Sequence, residues 1–394
     1  MKVLGIETSC DETAAAVVED GRKLLSNVVN SQIDIHALYG GVVPEVAARS
    51  HIEVINPVIN QALSDAELTW DDIDAIAVTY APGLIGSLLV GTLAARTLAI
   101  LKNKPLYPIH HVEAHVYANF ITDQLNKPTN TTVLNRASRQ VQVEPRRRLE
   151  LGLQMTSNSN ISRFLDLPSK QPEFPMLALI VSGGHSQLVL FHDHGKFELL
   201  GQTQDDAVGE AFDKVAKIIG LPYPGGPSIA KAALQGDPDK YPFPTAKLKG
   251  SYDFSFSGLK TAVLRAVQRE VGVPVDFPSR ELAARLDDVT RANFAASFQR
   301  TAVETMVGTT KRAFNDYSPR SVVIAGGVAA NQELRRLLSQ ELPIDIEYAP
   351  INLCTDNGAM IASLGYYYAQ HNQPIDPCKL EVVPSLSMSK TAWA

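Results

Sequence analysis

Residues 2–20, KVLGIETSCDETAAAVVED, run from an apolar stretch through a polar tip, Thr-Ser-Cys-Asp-Glu-Thr, into a second apolar stretch. That pattern predicts strand, tight turn, strand. Residues 176–193, MLALIVSGGHSQLVLFHD, repeat the plan with Ser182-Gly183-Gly184-His185 at the tip. Two hairpins of one design, each followed by mixed helical and strand segments, predict an α/β chain duplicated within itself. At 394 residues the chain exceeds one core of ordinary size, which agrees with two units.

Composition narrows the classes further. The chain is 45% apolar and 20% charged, as soluble globular proteins are. Its longest apolar run, residues 87–101 (SLLVGTLAARTLAIL), is interrupted by Arg96, so no membrane span is expected. Glu7 and Asp11 fall where a secretory leader would need its apolar core, so no leader is expected. Three cysteines, Cys10, Cys354 and Cys378, without a Cys-x-x-Cys pair argue against a disulfide framework or a zinc knuckle. The expected compartment is the cytoplasm. A net charge of −6 leaves no global basic footprint, so a nucleic-acid partner would be held by local patches or through a second protein.

The stretch HHVEAH, residues 110–115, sets His111 and His115 four apart, so both face one side of a helix and can share a metal ion. It nearly matches the zinc-peptidase signature His-Glu-x-x-His, but its glutamate, Glu113, lies midway between the histidines. Midway means about 200° of helical rotation from each, off the shared face and out of place for a general base. Taken alone, the pair reads equally as half-buried histidines of an amphipathic helix.

Other stretches carry chemistry only by their company. Residues 75–101 predict a buried strand ending at Tyr80, a Pro-Gly loop, and a helix whose small residues Gly86, Ser87 and Gly91 suit close packing or an anion at its start. Residues 205–231 predict a helix carrying Asp213 and Lys214 that ends at a Pro-Gly-Gly turn, Pro224 to Gly226. Residues 322–338 predict strand, Gly326-Gly327 turn, and a helix preceded by Asn331; glycines there can lie flat against a base or ribose. Asp356 and Asn357 stand at a helix start, where a carboxylate caps the helix or reaches a metal. Residues 123–172 are polar, contain Arg146-Arg147-Arg148 and show no sustained period; a mobile insertion is expected, its arginines either solvated or touching RNA. The expected organisation is therefore a unit over 1–122, this insertion, and a second unit over 173–394 whose extreme C-terminus either packs back or stays flexible.

Ten stretches in chain order, GIETSCDETAAAVV, GGVVPEVAARSH, APGLIGSLLVG, HHVEAH, VSGGHSQLV, GEAFDKVAK, YPGGPSIAK, FSFSGLKTA, AGGVAANQELR and CTDNGAMIA, closely resemble the tRNA N6-adenosine threonylcarbamoyltransferase family (TsaD/Gcp), bacterial type. The resemblance implies the actin/Hsp70/sugar-kinase fold, two duplicated ribonuclease H-like domains with a cleft between. It implies one divalent ion, iron or zinc, on His111, His115 and Asp356. It implies a substrate-binding loop at Ile180, Val181, Ser182, Gly183 and Gly184, an adenylate pocket at Asp213, Gly226 and Asn331, and a phosphate-side hairpin around Ser9, Cys10, Asp11 and Glu12.

The implied reaction moves a threonylcarbamoyl group from threonylcarbamoyl-AMP to N6 of the adenosine beside the anticodon, in tRNAs reading codons that begin with A. Implied partners are tRNA, a paralogous subunit (TsaB-like), a small ATPase (TsaE-like) and a separate synthase that makes the adenylate, with no membrane. The paralogue is expected on the N-terminal unit, where the small-residue helix from Gly86 could pack against a like helix. Ser186 stands where the family commonly has threonine, which keeps the hydroxyl.

The residues speak against three rival readings. A metallopeptidase is opposed by the placement of Glu113. A kinase or ATPase of the same fold would need an acidic residue on each hairpin, and the second hairpin offers Ser182-Gly183-Gly184 instead. A non-catalytic, nucleotide-responsive scaffold would not need all three metal-ligand candidates.

Overall fold

The computed structural model describes residues 1–124, 165–246, 248–346 and 348–390. Most of the expected insertion, residues 125–164 with its arginine run, lies outside the described residues. The chain divides into two compact units that do not follow chain order: residues 1–111, 121–167 and 357–385 form the first, and 112–120, 168–356 and 386–394 the second.

The first unit opens with the predicted hairpin. Strand β1 (Lys2–Glu7) pairs antiparallel with β2 (Glu12–Glu19), Glu7 opposite Ala14, and β2 pairs with β3 (Lys23–Ser31). After helices α1 (Ile33–Ala37) and α2 (Pro44–Asp65), strand β4 (Ala75–Ala81) returns parallel to β1. Helix α3 (Ile85–Lys102) then leads to β5 (Leu106–His110), parallel to β4. The sheet order is β5-β4-β1-β2-β3, extended by β6 (Asp123–Gln124), which runs parallel beside β3. The first two residues of the expected insertion are thus sheet, not loop.

Val3, Leu4, Ile6 and Ala14 to Val18 are fully buried, as befits central strands covered on both faces. On one face the helix Gly358–His371 lies so close that a Cβ on Gly5 would sit 2.3 Å from the Gly358 carbonyl oxygen. Gly5 and the alanines of β2 permit this approach.

Helix α3 departs from its sequence reading in one way, its length as a helix, while its small residues do the close packing expected of them. As a helix it is 18 residues long with a mean hydropathy of 1.5, so by length and composition it could cross a membrane despite Arg96. It nevertheless packs on α2 and β4, burying Ser87, Leu88, Gly91, Thr92, Ala95 and Ala99. Its small residues serve this inner packing: a Cβ on Gly91 would meet Thr8 Oγ1 at 2.2 Å, and one on Gly86 would meet Ala48 at 2.9 Å. They are spent inside the unit and offer no surface to a partner helix.

The second unit repeats the plan. Strand β7 (Met176–Val181) pairs antiparallel with β8 (Ser186–Asp193), β8 with β9 (Lys196–Gln202), and β10 (Ser321–Ala325) returns parallel to β7. The order β10-β7-β8-β9 matches β4-β1-β2-β3 strand for strand. Helices α5 (Val208–Ile219), α6 (Gly225–Ala233), α7 (Ser257–Glu270) and α8 (Asp288–Tyr317) stand between β9 and β10 in the chain, and α9 (Gln332–Glu341) and α10 (Ile351–Cys354) follow it. A hairpin flanked by a parallel strand, present twice, is the duplicated ribonuclease H-like architecture of the actin/Hsp70/sugar-kinase class.

Candidate metal centre and substrate turn

Strand β5 ends at His110, and helix α4 (His111–Tyr117) begins at the next residue. This abrupt strand-to-helix change puts His111 at the sheet's edge beside the end of β1. There Glu7 is fully buried. Its Oε1 accepts the backbone N–H of Ser9 at 2.5 Å, and its Oε2 accepts Thr79 Oγ1 at 2.5 Å and His111 Nδ1 at 3.1 Å. Ser9 Oγ also lies 3.1 Å from His111 Nδ1. A carboxylate only accepts, so the bond to Glu7 fixes the proton of neutral His111 on Nδ1 and leaves Nε2 as the ligating nitrogen. Sequence reading credited Glu7 only as an acid on the hairpin. The available signal was its place in the buried run KVLGIE, since a buried carboxylate requires partners.

One turn on, His115 Nε2 lies 3.2 Å from Asp356 Oδ1. Asp356 does not cap the helix that follows. That task falls to Asn357, whose side chain accepts the Met360 N–H at 3.0 Å at the start of α11 (Gly358–His371). Ligand atoms of His111, His115 and Asp356 lie within 4.8 Å of one another. Two imidazoles and one carboxylate so placed fit a divalent ion of the zinc or iron kind, with coordination positions left over for substrate. Helix α4 is anchored within the second unit by stacking of Tyr117 on Phe120 and a 3.0 Å bond from Tyr117 Oη to His194 Nδ1.

Glu113, the residue a peptidase would need, is 2% exposed. Burial pushes its carboxyl up to about 8, so at neutral pH it is mostly protonated.

The remaining sequence candidates separate into groups. Ile180 and Val181 end β7, and Ser182 to Gly184 form the turn into β8. Gly183 and Gly184 are exposed, and a Cβ on either would meet nothing within 4 Å, so the turn is open to a ligand. Beside it Gly326 (φ +88°) lies so close that a Cβ would sit 2.5 Å from the Val181 carbonyl oxygen. Ser186, the conservative departure, accepts the Val208 N–H that opens α5 at 2.9 Å. Asp213, on α5, accepts the Gly225 N–H at 2.6 Å, which brings its carboxylate against the Pro-Gly-Gly turn containing Gly226.

Asn331 is more occupied than its sequence suggests. Its Oδ1 caps α9 through Leu334 N at 3.0 Å, and its Nδ2 donates to Gln299 at 3.0 Å, leaving one amide hydrogen for a ligand. On the first hairpin, Ser9 joins His111 while the Cys10 carbonyl accepts from His51 and Ser87. Asp11 is 8% exposed, and Glu12 belongs to β2, where it accepts Ser31 Oγ at 3.2 Å. No disulfide joins Cys10, Cys354 or Cys378.

Two units on one duplicated α/β plan define a protein of the actin/Hsp70/sugar-kinase class, and His111, His115 and Asp356 form a candidate metal site in it. The family model for tRNA N6-adenosine threonylcarbamoyltransferase matches residues 23–143 and 161–363. The tRNA N6-adenosine threonylcarbamoyltransferases of Thermomicrobium roseum and Symbiobacterium thermophilum are each 46% identical to this chain, over 95% and 98% of it and 94% and 96% of their own lengths. The chain belongs to this family, and it is a transferase. Only residues 144–160 of the expected insertion fall between the two matched stretches. Among solved structures, HypF from T. kodakarensis is alike in fold (TM-score 0.52, 12% identity), covering 94% of this chain, which spans 48% of HypF.

Glu113 gives a pH test. Its folded-state carboxyl titrates near 8, against about 4.3 for an unfolded chain, so between these values the folded state binds more protons and stability falls as pH rises. In metal-free protein, Glu113→Gln should remove this slope between about pH 5 and 8, read from urea midpoints. An identical slope in the variant would place the titration elsewhere.

Proposed function

We propose that the chain transfers the threonylcarbamoyl group of threonylcarbamoyl-AMP to N6 of the adenosine beside the anticodon, in tRNAs reading codons that begin with A, with His111, His115 and Asp356 holding one iron or zinc ion. The observation that carries the reading is the convergence of those three side chains, within 4.8 Å, in a chain of this family.

In the reaction the amine nitrogen bonds to the carbamoyl carbon, the bond from that carbon to the phosphate oxygen breaks, and AMP and the amine proton leave. An exocyclic adenine amine is a weak nucleophile because its lone pair is delocalised into the ring. Rate must therefore come from positioning and from stabilising charge on the carbonyl and the leaving phosphate. An ion bound by the three ligands supplies Lewis acidity toward the substrate's oxygens. Glu7 keeps His111 in the ligating tautomer. The open turn at Ser182 to Gly184, continuing Ile180 and Val181, receives the adenylate, whose ribose hydroxyls fall to Asp213 beside Gly226. Asn331 directs its remaining amide hydrogen at the adenine.

The reaction belongs in the cytoplasm with its tRNA. Transfer is tested with purified threonylcarbamoyl-AMP, unmodified tRNA and the partner proteins, followed by nucleoside mass spectrometry. Wild type should yield modified adenosine, and His111→Ala should lower the yield at least a hundredfold together with bound metal. Product from the variant at the wild-type rate would remove His111 from the chemistry, and none from wild type would return the scaffold reading.

The partners are a paralogous subunit, a small ATPase and an upstream adenylate synthase. The paralogue docks on the apolar residues that α2 and α3 leave exposed, Ile52, Ile85, Leu89 and Leu93, the last three on one helix face at i, i+4 and i+8. Leu93→Glu should abolish co-elution with the paralogue on size exclusion while bound metal stays at the wild-type level. Unchanged co-elution would move the interface elsewhere.

A further inference from the structure

His115 and Asp356 come from segments far apart in the chain, so something must hold the helix of one in register with the loop of the other. Asn119, four residues beyond His115, is 1% exposed. Its Nδ2 donates to the Val116 carbonyl at 3.2 Å and, with long geometry, to the Ile324 carbonyl of β10 at 3.4 Å. Its Oδ1 accepts the Ala349 N–H at 3.1 Å. One carboxamide therefore ties the turn after α4 to the edge strand β10 and to the segment that leads through α10 to Asp356.

The same Ala349 peptide is gripped from its other side. Arg335 Nη2 donates to the Ala349 carbonyl at 2.9 Å and to Cys354 Sγ, two residues before Asp356, at 3.2 Å. Its Nε donates to the Ala329 carbonyl at 2.7 Å, and its guanidinium lies 4.9 Å over the Tyr348 ring. Ala329 belongs to the turn that follows Gly326, which abuts Val181. All of these groups lie within the second unit.

We propose that Asn119 and Arg335 are positioning residues that clamp the Ala349 peptide from both sides and thereby set the His115–Asp356 ligand geometry. The clamp accounts for a guanidinium whose donors go to backbone carbonyls: they hold chain segments in place. It also joins the metal ligands to the glycine turn beside Val181 through one side chain. This inference rests on the metal reading of His111, His115 and Asp356.

The test uses cobalt(II) as probe on the full chain, measuring its visible absorption and its affinity by chelator competition. Partners that orient ligands without touching the ion typically contribute ten- to a hundredfold in affinity. Asn119→Ala and Arg335→Gln should each weaken cobalt binding about tenfold and shift the visible band, and the double variant should lose less than the product of the two because both act on one peptide. Phe298→Leu, which opens a cavity where Phe298 meets Phe212, should lower the unfolding midpoint and leave the cobalt band unchanged. If either variant folds and binds cobalt with wild-type affinity and band, the inference is overturned. An equal shift in Phe298→Leu would also overturn it by assigning the effect to general destabilisation. Should one variant fail to fold, the other decides. Absence of cobalt binding by wild type would overturn the metal reading itself, and this inference with it.

Discussion

Glu7 is a carboxylate with no solvent contact, and such a group costs several kcal/mol to bury unless its oxygens are hydrogen-bonded. The backbone of Ser9, the hydroxyl of Thr79 and the imidazole of His111 meet that demand. Satisfying one buried carboxylate thereby fixes three things together: the polar tip of the first hairpin, the end of β4, and the tautomer of His111, the first of the proposed metal ligands. Remove the acid, and His111 loses the carboxylate that holds its proton on Nδ1.

The hairpin that carries Glu7 is itself dictated by packing. Gly5 and the alanines of β2 let the C-terminal helix lie directly on the sheet, and that helix begins one residue after the Asn357 that frees Asp356 from capping. The second unit uses the same hairpin with a different tip. Where the first presents Thr8 to Asp11, the second presents Ser182 to His185, without an acid and with two exposed glycines. Duplication with divergence at the tips gives one edge that orients a metal ligand and another that leaves backbone open to a ligand.

Much of this was legible in the sequence because it depends on local pattern. Apolar runs around a polar tip, repeated, signalled the two hairpins, and spacing four apart put His111 and His115 on one helix face. Less was legible where the answer depends on which side of an element meets another. Gly86 and Gly91 suited close packing or a partner helix alike; they pack on Ala48 and Thr8, and apolar residues of the same helix are the exposed ones. Asn331, expected as a ligand contact, is also a helix cap, which its place before an apolar helical run could have signalled. Arg96 seemed to end an apolar run that, as a helix, is long enough to span a membrane. Asn119 and Arg335 carried no signal, since their partners are backbone atoms hundreds of residues away in sequence or in an irregular loop.

The account stands on His111, His115 and Asp356 sharing one ion, and the most direct measurement is X-ray absorption at the metal edge of the protein as purified. The account predicts a first shell of nitrogen and oxygen donors at about 2.0–2.2 Å, with the outer-shell signature of two imidazoles. A shell containing sulfur at about 2.3 Å, or one of oxygen alone, would contradict it.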